Sequence, residues 1–279
     1  MRTYQESLKW GISQLENAKI ENVSLEAWYL MESIIKMTRA EYLLHSTDQM
    51  LESQFEIYQS FINRRVKHEP MQYIIGEQEF MGINFLVNEN VLIPRQDTEI
   101  LVELVLKDSK DKTILDVCTG SGCIAISLAK LSQAKSITAL DISRKALELA
   151  KENATRIHAD VKLIESNMFT NVTDRYDVIV SNPPYIPTDV IQTLMPEVKD
   201  YEPLLALDGT EDGLEFYRIL AEQSKNYLTK AGKVYFEIGC EQAAAVCELL
   251  KENGYDNIEV TKDYANLDRV VSAKLKDDI

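Results

Sequence analysis

Asn182, Pro183, Pro184 and Tyr185 follow directly on a short β-branched run, Val178-Ile179-Val180-Ser181. A run of that kind reads as a strand buried on both faces of a parallel sheet. Proline has no N–H for a ladder and holds the residue before it extended, so the strand has to stop at Asn182. The stop leaves a rigid loop at the carboxyl end of a strand, where open α/β sheets bind their ligands. One amide side chain, backbone carbonyls without ladder partners and the ring of Tyr185 are then gathered in one place. They suit a flat group carrying an NH2, whose two hydrogens need two acceptors: the Asn182 side-chain oxygen and a carbonyl of the proline loop.

A second constellation lies upstream, in Asp116-Val117-Cys118-Thr119-Gly120-Ser121-Gly122-Cys123-Ile124-Ala125. Glycines between a strand and a helix let the backbone approach a ligand, and the helix start presents free N–H groups. Asp141 follows at close to the twenty-residue spacing at which a carboxylate meets ribose hydroxyls. Loop and carboxylate together predict an adenosine-containing cofactor, and by themselves fit NAD and S-adenosylmethionine alike. Asp116 favours the second, because a carboxylate there would repel a pyrophosphate but suits an ammonium or sulfonium charge. Methyl transfer to an NH2 is a matter of positioning, in keeping with a loop that offers acceptors and no base.

The elements that must position these residues are legible as a change of period. From Thr113 onward strands and helices alternate: strands over 113–117, 137–140, 161–164, 177–181 and 233–238, helices over 123–131, 143–155, 213–230 and 241–253. Such alternation predicts a doubly wound parallel sheet, with strands near 258–260 and 270–274 as a hairpin at one edge. Before it, residues 1–69 carry apolar positions three and four apart and predict a small bundle of about four helices, with Ser24 capping the second. Pro70 ends that pattern. Residues 70–94 read as short strands at 78–81, 83–87 and 91–93, a β-hairpin linker, and a helix opens near Pro94-Arg95-Gln96-Asp97.

The chain has 279 residues, 45% of them hydrophobic, and a formal net charge of −15. That acidity opposes capture of a polyanion, so stable nucleic-acid binding is not expected. The basic cluster Arg64-Arg65-Val66-Lys67-His68 reads as a solvated helix face. The single histidines lack ligand spacing and predict no metal site. Cys118, Cys123, Cys240 and Cys247 form no paired motif and read as reduced thiols in the core. No apolar run is long enough to span a membrane and no apolar leader follows the polar start, so the expectation is a cytoplasmic protein.

Asp116-x-x-x-Gly120-x-Gly122 combined with Asn182-Pro183-Pro184-Tyr185 resembles the class I methyltransferases that modify planar NH2 groups, the adenine-N6 and glutamine-N5 enzymes among them. Further motifs narrow the resemblance: Tyr73-x-x-Gly76, Leu92-Ile93-Pro94-Arg95-x-x-Thr98-Glu99, Ala206-Leu207-Asp208-Gly209, Glu237-Ile238-Gly239 and Asp268-Arg269-Val270-Val271. Together they are similar to the HemK/PrmC family, which methylates the glutamine of the Gly-Gly-Gln motif in peptide chain release factors. The resemblance implies a class I S-adenosylmethionine-dependent fold over 95–279, with an N-terminal bundle that docks the substrate. Its protein substrates would be release factors 1 and 2; the alternative within the same chemistry is adenine-N6 methylation of DNA or RNA.

The resemblance also implies roles for individual residues. Asp116, Thr119, Gly120 and Gly122 would form the cofactor loop, with Asp141 and Ile142 at the ribose and Asn167-Met168-Phe169 along the adenine edge. Asn182, Pro183 and Tyr185 would be the catalytic residues, with Asn182 and Pro183 clamping the substrate amide and Asn182 also touching the cofactor; Pro184 and Tyr185 would wall the pocket, and Arg95 and Glu99 would stand at its mouth. For Arg95, an ion pair with a nearby acid at a helix start is an equal expectation. Asn167 stands where the family usually has Asp, and Asn266 where it commonly has Gly, a position that implies a left-handed turn.

Overall fold

The structure is a computed structural model that describes residues 2–276. The chain divides into two compact units: one runs up to Glu77 and takes in Met195–Tyr201, the other comprises Gln78–Leu194 and the chain from Glu202 onward.

The first unit is helical, with α1 (Tyr4–Asn17), α2 (Val23–Ile35), α3 (Arg39–His45), α4 (Glu52–Arg65) and α5 (Met71–Ile75). Thr3 with Glu6 and Thr38 with Glu41 form capping boxes that satisfy the first N–H groups of α1 and α3. Ser24 does not cap α2. Asn22 occupies that position in a left-handed conformation and the helix has begun by Val23. Leu15, Leu30, Met31, Tyr58 and Ile62 fill the core, and the buried Tyr58 hydroxyl donates to the Ala27 carbonyl at 3.1 Å. Pro70 does not end the helical region: it precedes the first residue of α5, where its missing N–H costs nothing, and Ile74 is buried with the bundle. This is why the unit reaches beyond residue 69.

The basic cluster is likewise not a solvated face. Arg65 is buried, donates to Glu26 at 3.0 Å and to Glu197 at 3.0 Å, while Arg64 pairs with Glu69. Two carboxylates converge on one guanidinium that water hardly reaches, so its charge is spent inside the unit. Tyr201 adds a hydrogen bond to the Lys67 carbonyl at 2.6 Å.

The second unit opens with a hairpin, β1 (Glu77–Phe80) and β2 (Ile83–Leu86), which forms a two-stranded sheet. Next come α6 (Gln96–Asp108), β3 (Thr113–Val117), α7 (Cys123–Leu131), β4 (Ser136–Asp141), α8 (Arg144–Ile157), β5 (Lys162–Glu165) and β6 (Tyr176–Ser181). Short helices α9 (Thr188–Ile191), α10 (Pro196–Lys199, in the first unit) and α11 (Leu204–Leu207) precede α12 (Glu215–Tyr227), β7 (Leu228–Glu237), α13 (Ala243–Glu252), β8 (Tyr255–Lys262) and β9 (Asp268–Leu275).

The seven-stranded sheet has the order β5-β4-β3-β6-β7-β9-β8. Strands β3 to β7 are parallel, and β9 runs antiparallel between β7 and β8. Alternating side chains on the buried strands build a core on each face. Ile114, Val178 and Val180 meet α6 and α7 through Leu101, Val105, Ile124 and Leu128. Leu115, Val117, Ile179 and Phe236 meet α12 and α13 through Leu220, Val246 and Leu250.

Three expectations fail in this unit. Val91-Leu92-Ile93 forms no strand, although Val91 and Ile93 are buried. The helix expected over 213–230 ends at Tyr227, because Leu228 already pairs with Tyr176 in the sheet. Cys240 is exposed rather than in the core. The left-handed turn at Asn266 is present, at φ +65°.

Candidate active site

The chain lays down β3, moves outward to β4 and β5, then returns to place β6 on the other side of β3. This reversal opens a crevice beyond the carboxyl ends of β3 and β6, the usual ligand site of an open α/β sheet. A cavity lies there, and its wall is drawn from residues just past strand ends. Cys118, Thr119, Gly120 and Ser121 follow β3; Asp141, Ile142 and Ser143 close β4; Ser166, Asn167 and Met168 follow β5; Asn182 and Pro184 follow β6. Arg95 and Thr98, from the start of α6, complete it with the apolar Leu205, Ala206 and Phe216.

The glycine loop is held from behind. Thr119 donates its hydroxyl to Asp116 Oδ2 at 2.6 Å, and Asp141 accepts from Gly120 N at 2.9 Å and from Ser143 N at 2.8 Å. Gly122 has φ +82°, and a Cβ there would lie 2.8 Å from Ile126 Cδ1 and 3.2 Å from Ala150 Cβ, so only glycine lets α7 start this close to α8. Asp116 is fully buried, and burial pushes its carboxyl up to about 7 against the Thr119 hydrogen bond. Its Oδ1 has no partner. Asp141 is also raised by burial, with the N–H groups of Ser143, Gly120 and Ile142 opposing the shift. A buried carboxylate behind the loop, together with a second carboxylate on the cavity wall, forms an anionic setting that fits the positively charged S-adenosylmethionine.

The acceptor side is built at the tip of β6. Ser181 donates to the Val117 carbonyl at 2.7 Å, which locks β6 against β3 one residue before the loop. Asn182 Nδ2 donates to Thr98 Oγ1 at 3.3 Å, and Glu237, its neighbour across the β6–β7 register, lies behind that pair. The Tyr185 carbonyl accepts from Gln242 Nε2 at 3.0 Å. Gly209 makes room for that backbone, since a Cβ there would meet Tyr185 Cα at 2.7 Å. Burial raises the Tyr185 hydroxyl well above the usual tyrosine range, so the ring acts as a neutral surface.

Not every expected site residue reaches the cavity. Thr119, Gly120, Asp141, Ile142, Asn167, Met168, Asn182, Pro184 and Arg95 do. Asp116 and Gly122 stand one layer behind it, and Pro183 is buried beside it. Tyr185 packs against the α12–α13 core, and Phe169 stacks on Tyr227 at 4.9 Å in that same core. Glu99 does not stand at the cavity: its carboxylate accepts from the Met81 N–H and so fastens the β1–β2 turn to α6. Arg95 both lines the cavity and donates from Nη2 to both carboxylate oxygens of Glu202, each contact 2.7 Å. Thr98, Cys118, Ser166 and Phe216 carried no sequence signal of a site role beyond their nearness to motifs, because only tertiary packing places them there.

Residues 6–76 match the family description PrmC N-terminal domain, and residues 95–197 match Methyltransferase small domain. The chain is 38% identical over 275 residues to the release factor glutamine methyltransferase of Geobacter sulfurreducens, covering 98% of this chain and 97% of the relative. It is 42% identical over 253 residues to the enzyme of the same name in Thermodesulfovibrio yellowstonii, covering 88% and 90%. A solved methyltransferase from Pyrococcus furiosus shares the fold at a TM-score of 0.55 and 18% identity, over 78% of this chain and 98% of that one. The second unit is thus a class I methyltransferase domain and S-adenosylmethionine is its cofactor. With matches that run nearly end to end, the chain belongs to the release factor glutamine methyltransferase family.

Proposed function

We propose that this protein methylates the side-chain amide N5 of the glutamine in the Gly-Gly-Gln motif of peptide chain release factors 1 and 2, acting in the cytoplasm. The observation that carries the reading is the Asn182 amide, whose Nδ2 donates to Thr98 while the residue lines the cavity beside the glycine loop. Its Oδ1 is thereby the end left for a ligand, and an acceptor at that place suits an incoming NH2.

Bound S-adenosylmethionine supplies an electrophilic methyl group on a sulfonium centre. Thr119, Gly120, Asp141, Ile142, Asn167 and Met168 would hold it, with Asp116 adding negative charge from behind the loop. The amide nitrogen of glutamine is a weak nucleophile because its lone pair is delocalised into the carbonyl. Asn182 Oδ1 and the Pro183 carbonyl would accept its two hydrogens, fix its plane and draw the NH2 toward a tetrahedral shape that frees the lone pair. The N–CH3 bond would form as the sulfonium S–CH3 bond breaks to leave S-adenosylhomocysteine, and the nitrogen would give up one proton to solvent. Pro184 and Tyr185 keep that loop rigid, and Arg95, tethered by Glu202, shapes the rim. The helical unit would supply the docking surface for the release factor.

Incubation with methyl-labelled cofactor and either a release factor or nucleic acid tests the reading. Label should enter the release factor and leave DNA and RNA unlabelled; label in a nucleic acid would move the protein to the adenine-N6 class.

A further inference from the structure

Glu237 ends β7 one position past the Ser181–Phe236 register pair, so it neighbours Asn182 across the β6–β7 ladder. It is 2% exposed, and its Oε2 is buried with no hydrogen-bond partner. The side chains of Thr98 and Asn182 lie close enough to hold its carboxyl down against burial, and Asn182 Nδ2 donates to Thr98 Oγ1 at 3.3 Å. Side chains from α6, β6 and β7 therefore close a polar triangle, of which Thr98 and Asn182 line the cavity and Glu237 does not.

The two ends of a carboxamide are nearly equal in size and differ mainly in hydrogen-bonding sense. Asn182 can accept from a substrate NH2 only with Oδ1 turned to the cavity. An ionised carboxylate behind it accepts and cannot donate, so it favours Nδ2 on its own side and Oδ1 on the other. A neutral partner that both donates and accepts would tolerate either orientation.

We propose that Glu237 is a positioning residue for methyl transfer, acting through Asn182 and Thr98 to hold the Asn182 amide with Oδ1 toward the substrate NH2. The proposal rests on the clamp reading given above.

Burial pushes the Glu237 carboxyl up to about 7; Thr98, Arg269 and Asn182 oppose the shift and Asp97 adds to it. The other ionisable neighbours are Tyr185 in the loop, Tyr217 on α12, Cys123 on α7, and Arg269 on β9 with its partner Asp263. Both tyrosines and Cys123 are held above their ordinary values and stay neutral near pH 7, whereas Arg269 stays charged. Once protonated, Glu237 becomes a donor that can meet Asn182 Oδ1 and turn the amide round. Methylation at saturating cofactor and release factor then falls as the pH drops below about 7. Asp116 also titrates near there, so saturation with the cofactor is needed to keep its effect on cofactor binding out of kcat.

The test compares pH profiles of kcat for wild type, Glu237→Gln, Glu237→Asp and Thr98→Val on a release factor, with S-adenosylmethionine affinity from calorimetry. Glu237→Gln should lose roughly 10- to 100-fold in kcat, as misplaced groups near the reacting atoms do, and should lose the acidic limb. Its KM and cofactor affinity should stay unchanged. Glu237→Asp should recover part of the rate and keep an acidic limb, and Thr98→Val should lose rate while keeping the limb. Wild-type kcat in Glu237→Gln, an acidic limb that persists in it, or a joint fall of cofactor affinity and kcat would each overturn the positioning role. A wild-type protein that fails to methylate the release factor sinks the substrate reading instead, and this proposal with it; the wild-type arm shows that before any variant is compared.

Discussion

Asp141 accepts from the N–H groups of Gly120 and Ser143, so one side chain ties the glycine loop to the start of α8 while its carboxylate lines the cavity. Asp141→Asn removes the charge and turns one acceptor into a donor against those N–H groups. Hydrogen bonds to charged groups contribute about 1.5–3 kcal/mol, so cofactor affinity by calorimetry should weaken by roughly 10- to 100-fold. Asn182 and Asp141 were both legible in the sequence, the first because two prolines end a strand there, the second because a fixed spacing follows the glycines. Thr98 and Glu237 were not, although each sat within a recognised motif. Thr98 is 84 residues from Asn182, and Glu237 meets it only through the register of β6 on β7, which no local pattern encodes. Glu99 and Phe169 lie off the cavity wall for a related reason. A motif fixes a position in the chain, but a carboxylate that caps the Met81 N–H and a ring that stacks on Tyr227 serve packing rather than the cavity.

At the scale of elements, the turn between β3 and α7 is a close junction at the site. Gly122→Ala places a methyl against Ile126 and Ala150 at a backbone φ of +82°. Strain of that kind costs about 1–3 kcal/mol, so the midpoint of urea unfolding should fall with the slope unchanged. An unchanged midpoint would mean that the loop relaxes without loss. The strand and helix ranges of the sheet were readable because period and polarity change sharply at their ends. The exceptions share one cause, the dominance of tertiary pairing over local preference. Leu228 leaves a helical pattern to pair with Tyr176, and Val91-Leu92-Ile93 is apolar enough for a strand but no neighbouring strand takes it up. Arg65 looked like part of a solvated basic face, and only the convergence of Glu26 and Glu197 shows that it is buried.

For the whole molecule, the buried acids of the site make stability depend on pH in an unusual sense. Asp116 and Glu237 are both raised to about 7, so between their unfolded values near 4 and their folded values the native state holds more protons than the unfolded chain. Their contribution to stability is complete below about pH 4 and is lost as the pH rises through about 7. Asp108, Asp177 and Glu197 are shifted down and act the opposite way, but their window lies below the ordinary carboxylate range. Thermal melting of the ligand-free protein should therefore be higher near pH 5 than near pH 8, by an amount on the order of a few kcal/mol in unfolding free energy. A flat or rising profile over that interval would show that the two carboxyls are ionised throughout.

The same anionic lining explains how a chain of net charge −15 can hold a cationic methyl donor at one end of its sheet. The central claim is that Asn182 aims a glutamine amide at that donor. Tandem mass spectrometry of a release factor after incubation with S-adenosylmethionine and either wild type or Asn182→Ala tests it most directly. The wild type should add one methyl group to the glutamine of the Gly-Gly-Gln motif, and Asn182→Ala should leave that glutamine unmodified while binding the cofactor as before. A methyl group on any other residue with the wild type, or full modification of that glutamine by Asn182→Ala, would contradict the account.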